Sequence, residues 1–291
     1  MKPISRRALL GTTAASTLLL GTSTLCAQTE LTDLAKIQAN GALKVAVYKA
    51  NPPFSDGQAA AMHGLDVALA EALAKTMDLK LALLPFDAGE NMNDDLRNMV
   101  WRGHYLGYGP ADVLMHVPVD KHLMDENRQV IVLAPYVRET LMLLHDGSRV
   151  GDVRSPQDLQ GLPLAAERGS GAASVLMGYG GGLLRSQVSI FDTGVQAAQA
   201  VADGKAAAAY VSRAQAEAVV FKAGQAGQGK ALRISALQLP GLPPQGWPVG
   251  MAIKSQHKEL GRALDGAMQT LRANGELQAI FRQHGLTLAA P

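Results

Sequence analysis

From Leu43 onward the chain alternates between two hydrophobic periods, and this constrains its fold more than any other feature. Short apolar runs of strand length, LKVAVY at 43–48 and LKLALLPF at 79–86, flank a stretch with helical spacing. There Leu65, Leu69, Leu73 and Met77 fall at i, i+4, with Ala72 alongside, and mark one helix face. Asn93, Asp94 and Asp95 are placed to cap the next helix, which carries Leu96, Met99 and Val100. Apolar runs follow at 130–134, before Pro135 and Tyr136, and at 140–145. Ser155 and Pro156 read as the N-cap and first position of a further helix. Residues 163–167, 188–191, 206–211 and 248–253 read as strands, and the Gly-rich 224–229 as a loop. Helical spacing returns at Val195, Ala198 and Val201, stopped by Gly204, and at Leu260, Leu264, Met268 and Leu271. Asn274 and Gly275 break that helix before a last one that runs to His284. Strands alternating with helices predict an α/β protein with mostly parallel sheets.

Residues 1–27 read as an address rather than as part of the fold. Lys2, Arg6 and Arg7 precede an apolar run that reaches Leu25, and cleavage after Ala27 fits small-residue processing. Ser5, Arg6 and Arg7 followed by Ala8, Leu9 and Leu10 look like a twin-arginine signal, although Gly11 stands where a lysine is usual. Lipidation at Cys26 is a poor match because Leu25 precedes it. The apolar run is shorter than the roughly 20 residues of a membrane span. Its removal takes away the only cysteine and leaves 24 Lys and Arg against 25 Asp and Glu. The expected mature protein therefore depends on its core alone. Its near-neutral charge gives no reason to expect nucleic acid or an anionic membrane as partner. Its expected location is the periplasm, and a monomer is expected.

Chemistry concentrates at residues 101–120. Trp101, Tyr105 and Tyr108 crowd into eight residues among Gly103, Gly107, Gly109 and Pro110, a composition that excludes a helix. The apolar run 113–117 then reads as a short buried strand ending near His116, Pro118 and Asp120. In open α/β sheets ligands bind beyond the carboxyl ends of strands, so half of a site is expected here, with His116 and Asp120 as candidate ligand contacts. Asp112 is expected to fix the turn into the strand. The histidines at 104, 116 and 122 match no zinc spacing, so no metal is expected. Gly169, Ser170 and Gly171 follow a strand and open a helix, where free N–H groups and the positive helix end suit an anion such as a carboxylate. There is no Gly-x-Ser-x-Gly, no Walker loop and no cysteine nucleophile in the expected mature chain. No catalytic residues and no cofactor are assigned, and an enzyme is not expected.

From Gly41 to Gly285 the chain resembles the periplasmic solute-binding proteins of family 3, the polar amino-acid-binding type. The matching pieces occur in family order. They are residues 43–55 with their Pro-Pro-Phe turn; Gly64, Leu65 and Asp66; Ala111, Asp112 and Val113; and Ala134, Pro135 and Tyr136. Further along come residues 158–161 with 169–171, then residues 249–252, and last residues 271–277. The resemblance implies a two-lobed periplasmic-binding-protein fold of type II. Each lobe would be a mostly parallel sheet flanked by helices, closing over a ligand like a clamp. Lobe 1 is expected to comprise residues 28–139 and 252–291, and lobe 2 residues 140–251. The two hinge crossings are expected near 140–143 and 248–251.

The resemblance also assigns contacts. Tyr48 and Phe54 stand where the family walls its ligand with an aromatic side chain, and Ser212 stands where the family carries an aspartate for an α-ammonium group. Departures are as informative. The family's carboxylate-holding arginine falls at Met124 or Glu126, and its acidic residue at the end of the first strand is Tyr48. These replacements predict a small polar or carboxylate-bearing ligand other than a standard α-amino acid, captured for uptake through an ABC-type permease. A narrower resemblance over roughly residues 96–143 points to a branch associated with quinoprotein alcohol dehydrogenases, whose partner would be the dehydrogenase or its cytochrome. A third possibility is an enzyme like cyclohexadienyl dehydratase, for which Asp120 or Glu167 would be the acid and Lys121 or Arg168 the carboxylate holder.

Overall fold

The computed structural model describes residues 31–227 and 231–291. The expected signal segment, with Cys26 and the cleavage after Ala27, lies outside the described residues, as do positions 228–230, which include the end of the Gly-rich loop. After α1 (Asp33–Asn40) the chain lays down β1 (Ala42–Tyr48), α2 (Leu65–Thr76), β2 (Lys80–Phe86), α3 (Met92–Leu96) and β3 (Val113–Pro118). A short helix α4 (Lys121–Glu126) leads to β4 (Val130–Glu139), and Thr140 alone separates β4 from β5 (Leu141–Asp146). The second sheet continues with β6 (Leu164–Glu167), α5 (Gly171–Gly182), β7 (Val188–Phe191), α6 (Gly194–Ala202), β8 (Ala208–Ser212), α7 (Arg213–Gln225) and β9 (Leu232–Ser235). The chain then returns to the first sheet as β10 (Trp247–Lys254) and closes with α8 (Lys258–Ala273) and α9 (Glu276–Gln283).

The strand order is β2-β1-β3-β10-β4 in one sheet and β9-β5-β8-β6-β7 in the other. Each sheet has one reversed strand, β10 in the first and β5 in the second. The expected two-lobed, mostly parallel α/β architecture is therefore present. The return occurs earlier than expected, because Trp247 already pairs with Glu139 and Val249 with Val137. Residues 247–251 thus belong to the first sheet, and the second crossing precedes them. Among the described residues, no helix is long and apolar enough to cross a membrane.

Local sequence explains most of these elements. The expected cap at residues 93–95 lies earlier: Asn91 accepts from Asp94 N–H, and the helix continues as a wider π turn over Arg97–Trp101. Asp112 accepts from Lys44 N–H at 2.8 Å and ties the approach of β3 to β1. The alanine-rich β8 is a strand because α6 presents Ala197, Ala198 and Val201 to it, and small side chains on both elements let helix and sheet close up. The longer cores lie on the first sheet, with Leu65, Leu69 and Leu73 of α2 and Leu260, Leu264 and Leu271 of α8 on one face.

Two irregularities shape the region between the sheets. Opposite β10, strand β3 inserts one extra residue at Met115 and His116, and β4 bulges over residues 134–136 against Gly250. A Cβ on Gly250 would meet the Leu133 carbonyl oxygen at 2.6 Å, so only glycine lets the bulged strand lie this close. Gly246, just before β10, has φ +65° and packs against the Glu139 carbonyl, where any side chain would collide. Gly246→Ala is expected to cost about 1–3 kcal/mol through backbone strain and forced separation of the two crossings. Urea unfolding of the variant and the wild type measures this, and equal midpoints would contradict it.

Candidate functional site

The carboxyl ends of β1, β3 and β4 face the amino end of α5 and the end of β8 across a cleft with two adjoining halves of about 200 and 320 Å³. Asn51, Glu139, Glu167 and Trp247 line both halves. Ser170, Gly171 and Ser212 line the half against the second sheet, and Tyr48, Met92, His116 and Pro118 the half against the first. Of the residues expected from sequence, this geometry brings together Tyr48, His116, Ser170, Gly171 and Ser212.

Phe54, Asp120 and Gly169 stand apart from these walls. Phe54 is buried, with its ring centroid 4.1 Å from that of His116, so it packs behind the histidine. Asp120 caps α4 by accepting from Leu123 N–H at 2.8 Å. Gly169 takes φ +71° in the turn before α5 and supplies the bend that presents Ser170. The loop at 101–110 lines neither half. Trp101 and Tyr108 pack on the first sheet's inner cluster, His104 stacks on Tyr108 at 4.3 Å, and Tyr105 and Leu106 project with 87% and 68% exposure. His122 lies on the surface beside Glu126. Among the described residues no group of three or more His, Cys, Asp or Glu side chains is placed to hold a metal ion.

At the first-sheet wall, His116 adopts φ +62°, a left-handed conformation unusual for a residue with a Cβ and held here by the bulge. Its Nδ1 lies 3.2 Å from Asp66 Oδ2, and its Nε2 lies 3.7 Å from Glu139 Oε2. Tyr136 donates to the other Asp66 oxygen at 2.6 Å. Burial alone would lower the His116 pKa, but the Asp66 and Glu139 carboxylates outweigh it and push the value up to about 10. Glu139 Oε1 is buried without a hydrogen-bond partner. Leaving such an acceptor open costs about 1–3 kcal/mol, more for a charged group.

On the opposite wall Glu167 accepts from Gln215 Nε2 at 3.0 Å, and Gln215 also closes a capping box with Ser212 at the start of α7. Burial raises the Glu167 pKa against the hydrogen bonds from Gln215 and Gly194, and the charge of Glu139 across the cleft raises it further. Tyr48 donates to Asp95 Oδ2 at 2.9 Å and its ring packs tilted against Phe86, so its hydroxyl is not available to the cleft. Burial, and then the nearby Asp95 carboxylate, push that phenol well above its usual range. Ser170 is likewise committed: its hydroxyl accepts from Ala173 N–H and donates to the Glu167 carbonyl. Of the dehydratase set only Glu167 lines the cleft. Lys121 pairs with Asp125, and Arg168 pairs with Asp192 on the surface.

Sequence reasoning missed Asn51, Asp66, Glu139 and Trp247 as site residues. The available signal was a charged pair, Arg138 and Glu139, between two apolar strand runs, together with a proline inside the first run that marks a bulge.

No protein-family model matches this chain, and no curated protein does either. Solved structures do resemble it. An ancestral cationic amino-acid solute-binding protein superposes with TM-score 0.66 at 18% identity, covering 86% of this chain and 98% of that one. An amino-acid ABC transporter substrate-binding protein from Streptococcus pneumoniae bound to L-arginine gives TM-score 0.61 at 18% identity, covering 89% and 100%. An ancestral amino-acid-binding protein described as a precursor of cyclohexadienyl dehydratase gives 0.56 at 19%, covering 87% and 98%. At these identities the likeness establishes the fold, that of the amino-acid solute-binding proteins.

The cluster around His116 makes stability depend on pH. Its folded pKa of about 10 lies above the ordinary 6.5, so its contribution is complete below pH 6.5 and is lost as pH rises through about 10. Urea unfolding at pH 6.5 and 9.5 should show the wild type weakening by an amount on the order of a few kcal/mol. His116→Asn should be less stable throughout and should lack this slope. A variant with the wild-type slope would place the titrating group elsewhere.

Proposed function

We propose that this chain is an exported solute-binding protein that captures a small polar molecule between its two sheets. The observation that carries this reading is that Asn51, Glu139, Glu167 and Trp247 line both halves of one cleft, so a single molecule can touch both sheets at once. On this reading the sheets close over the solute about the crossings at Thr140 and Gly246, and the closed form is presented to an uptake permease. The fold it shares with an arginine-bound transporter substrate-binding protein supports the role. Among the described residues no arginine or lysine lines the cleft, which supports a ligand other than a standard α-amino acid. The location on this reading is the periplasm, after cleavage near Ala27. A dehydratase-like activity gains only Glu167 from the geometry.

A thermal-shift screen against amines, amino acids, carboxylates and short alcohols tests the reading. A solute at 100 times its Kd stabilises by about 2.7 kcal/mol. Trp247→Ala is expected to remove the response while the variant still unfolds cooperatively. Absence of any stabilising compound would count against solute capture.

One observation favours a second reading, docking on a periplasmic quinoprotein dehydrogenase or its cytochrome. Tyr105 and Leu106 are exposed on a loop outside the cleft, where they form an apolar tip with no role in ligand contact. Tyr105→Ser with Leu106→Ser should leave any solute response intact and abolish co-purification with the dehydrogenase. Co-purification that survives the double change would remove this reading.

A further inference from the structure

The charge that the cleft presents is specific enough to define a ligand class, an inference that rests on the solute-binding reading above. We propose that the cleft is built for a small organic cation, an amine or guanidine that carries no carboxylate, with its N–H donors held between Glu139 and Glu167. Both glutamates line both halves of the cleft, one from each sheet. Among the described residues no lysine or arginine lines either half. The nearby ring of His116 is already engaged by Asp66 and Glu139.

An independent observation points the same way. The Glu139 side chain is nine-tenths buried, at 10% exposure, and its Oε1 has no hydrogen-bond partner. A buried carboxylate oxygen beside a cavity needs a donor, and a cationic N–H group is the strongest one available. Tyr48 and Trp247 line the same walls, and aromatic side chains are the second element of a cation site. A ligand carboxylate would meet two like charges. Of the donors at the start of α5, the Ser170 hydroxyl is spent on Ala173 and Glu167. The absent arginine is thus part of a coherent change of charge. With no carboxylate to hold, the cleft needs no guanidinium, and Glu139 Oε1 remains open for the cation.

Matched pairs that differ only in the α-carboxylate test this directly. Binding to the purified protein is measured by calorimetry for agmatine against arginine and cadaverine against lysine, with glutarate as the anionic control. At least one decarboxylated amine should bind ten-fold or more tightly than its parent amino acid, and glutarate should give no heat of binding. Glu139→Gln and Glu167→Gln should each weaken the amine at least ten-fold while unfolding cooperatively. If one variant fails to fold, the other decides. Amine affinity should also fall on acidification, as the burial-raised Glu167 takes up its proton. An amino acid that binds as tightly as its amine, or amine affinity unchanged by either substitution, overturns the cation assignment and leaves solute capture standing. Binding only of carboxylates or neutral alcohols from the wider screen has the same consequence. Failure of every compound overturns both.

Discussion

The contact on which the cleft depends is the ion pair of His116 with Asp66 and Glu139. It joins α2, β3 and β4 through side chains that would each be costly to bury alone. Asp66 is 1% exposed; Tyr136 donates to one oxygen, and the His116 imidazolium lies 3.2 Å from the other as an ion pair without a hydrogen bond. Removing one partner of such a buried pair typically costs about 3–5 kcal/mol, because the remaining charge stays desolvated. The cluster also explains why the strands around it are irregular. In a regular ladder His116 would take an extended φ; the extra residue in β3 instead permits φ +62° and sets the ring beside Asp66 and Glu139. The bulge at 134–136 similarly brings Tyr136 to Asp66. Strain in the backbone is thus held by charge pairing in the side chains.

Much of the fold was legible because its signals are local. The strand runs at β1, β2, β3, β6, β7 and β10, and the helix faces of α2 and α8, follow from apolar spacing within single segments. The capping boxes at Ser155 and Ser212 use the residue types such boxes require. The errors also have local causes. The cap assigned to residues 93–95 slipped because Asn91 and Asn93 are equally good capping residues. The return to the first sheet was set at position 252, but pairing partners decide where a strand starts, and Trp247 finds Glu139 five residues earlier.

The candidate site was less legible, since it is assembled from residues far apart in the chain. Ser170 could be placed in the cleft because it opens a helix after a strand, whereas Tyr48 and Ser212 were placed there by the family resemblance. Phe54 and Asp120 sit at similar sequence landmarks, yet one turns into the core behind His116 and the other spends its carboxylate on a helix end. Nothing in the spacing distinguishes these outcomes. Glu139 was the harder case, because a charged residue at a strand end is ordinarily solvated. In the folded chain β10 pairs Trp247 with Glu139 and His116 lies beside its carboxylate, and the side chain is left 10% exposed.

The position of Glu139 links ligand charge to motion. It is the last residue of β4, and Thr140, the only residue before β5, accepts from Arg213 N–H at 2.8 Å at the start of α7. Behind the hinge, Arg138 N–H donates to the Ala289 carbonyl and Thr287 N–H to Glu217, so the chain end is tied to both sheets' neighbourhoods there. On the solute-capture reading, closure by rotation with that side fastened moves the cleft mouth most. Any such rotation changes the separation of Glu139 and Glu167. A ligand can shift an equilibrium between open and closed forms only by its difference in affinity for the two. Glu139 is offset in part by His116 while Glu167 is held by the neutral Gln215, so bringing the two carboxylates together disfavours closing until a ligand supplies positive charge. A cation between them reverses that sign, so the acids that select the ligand are the same groups that make closure conditional on it.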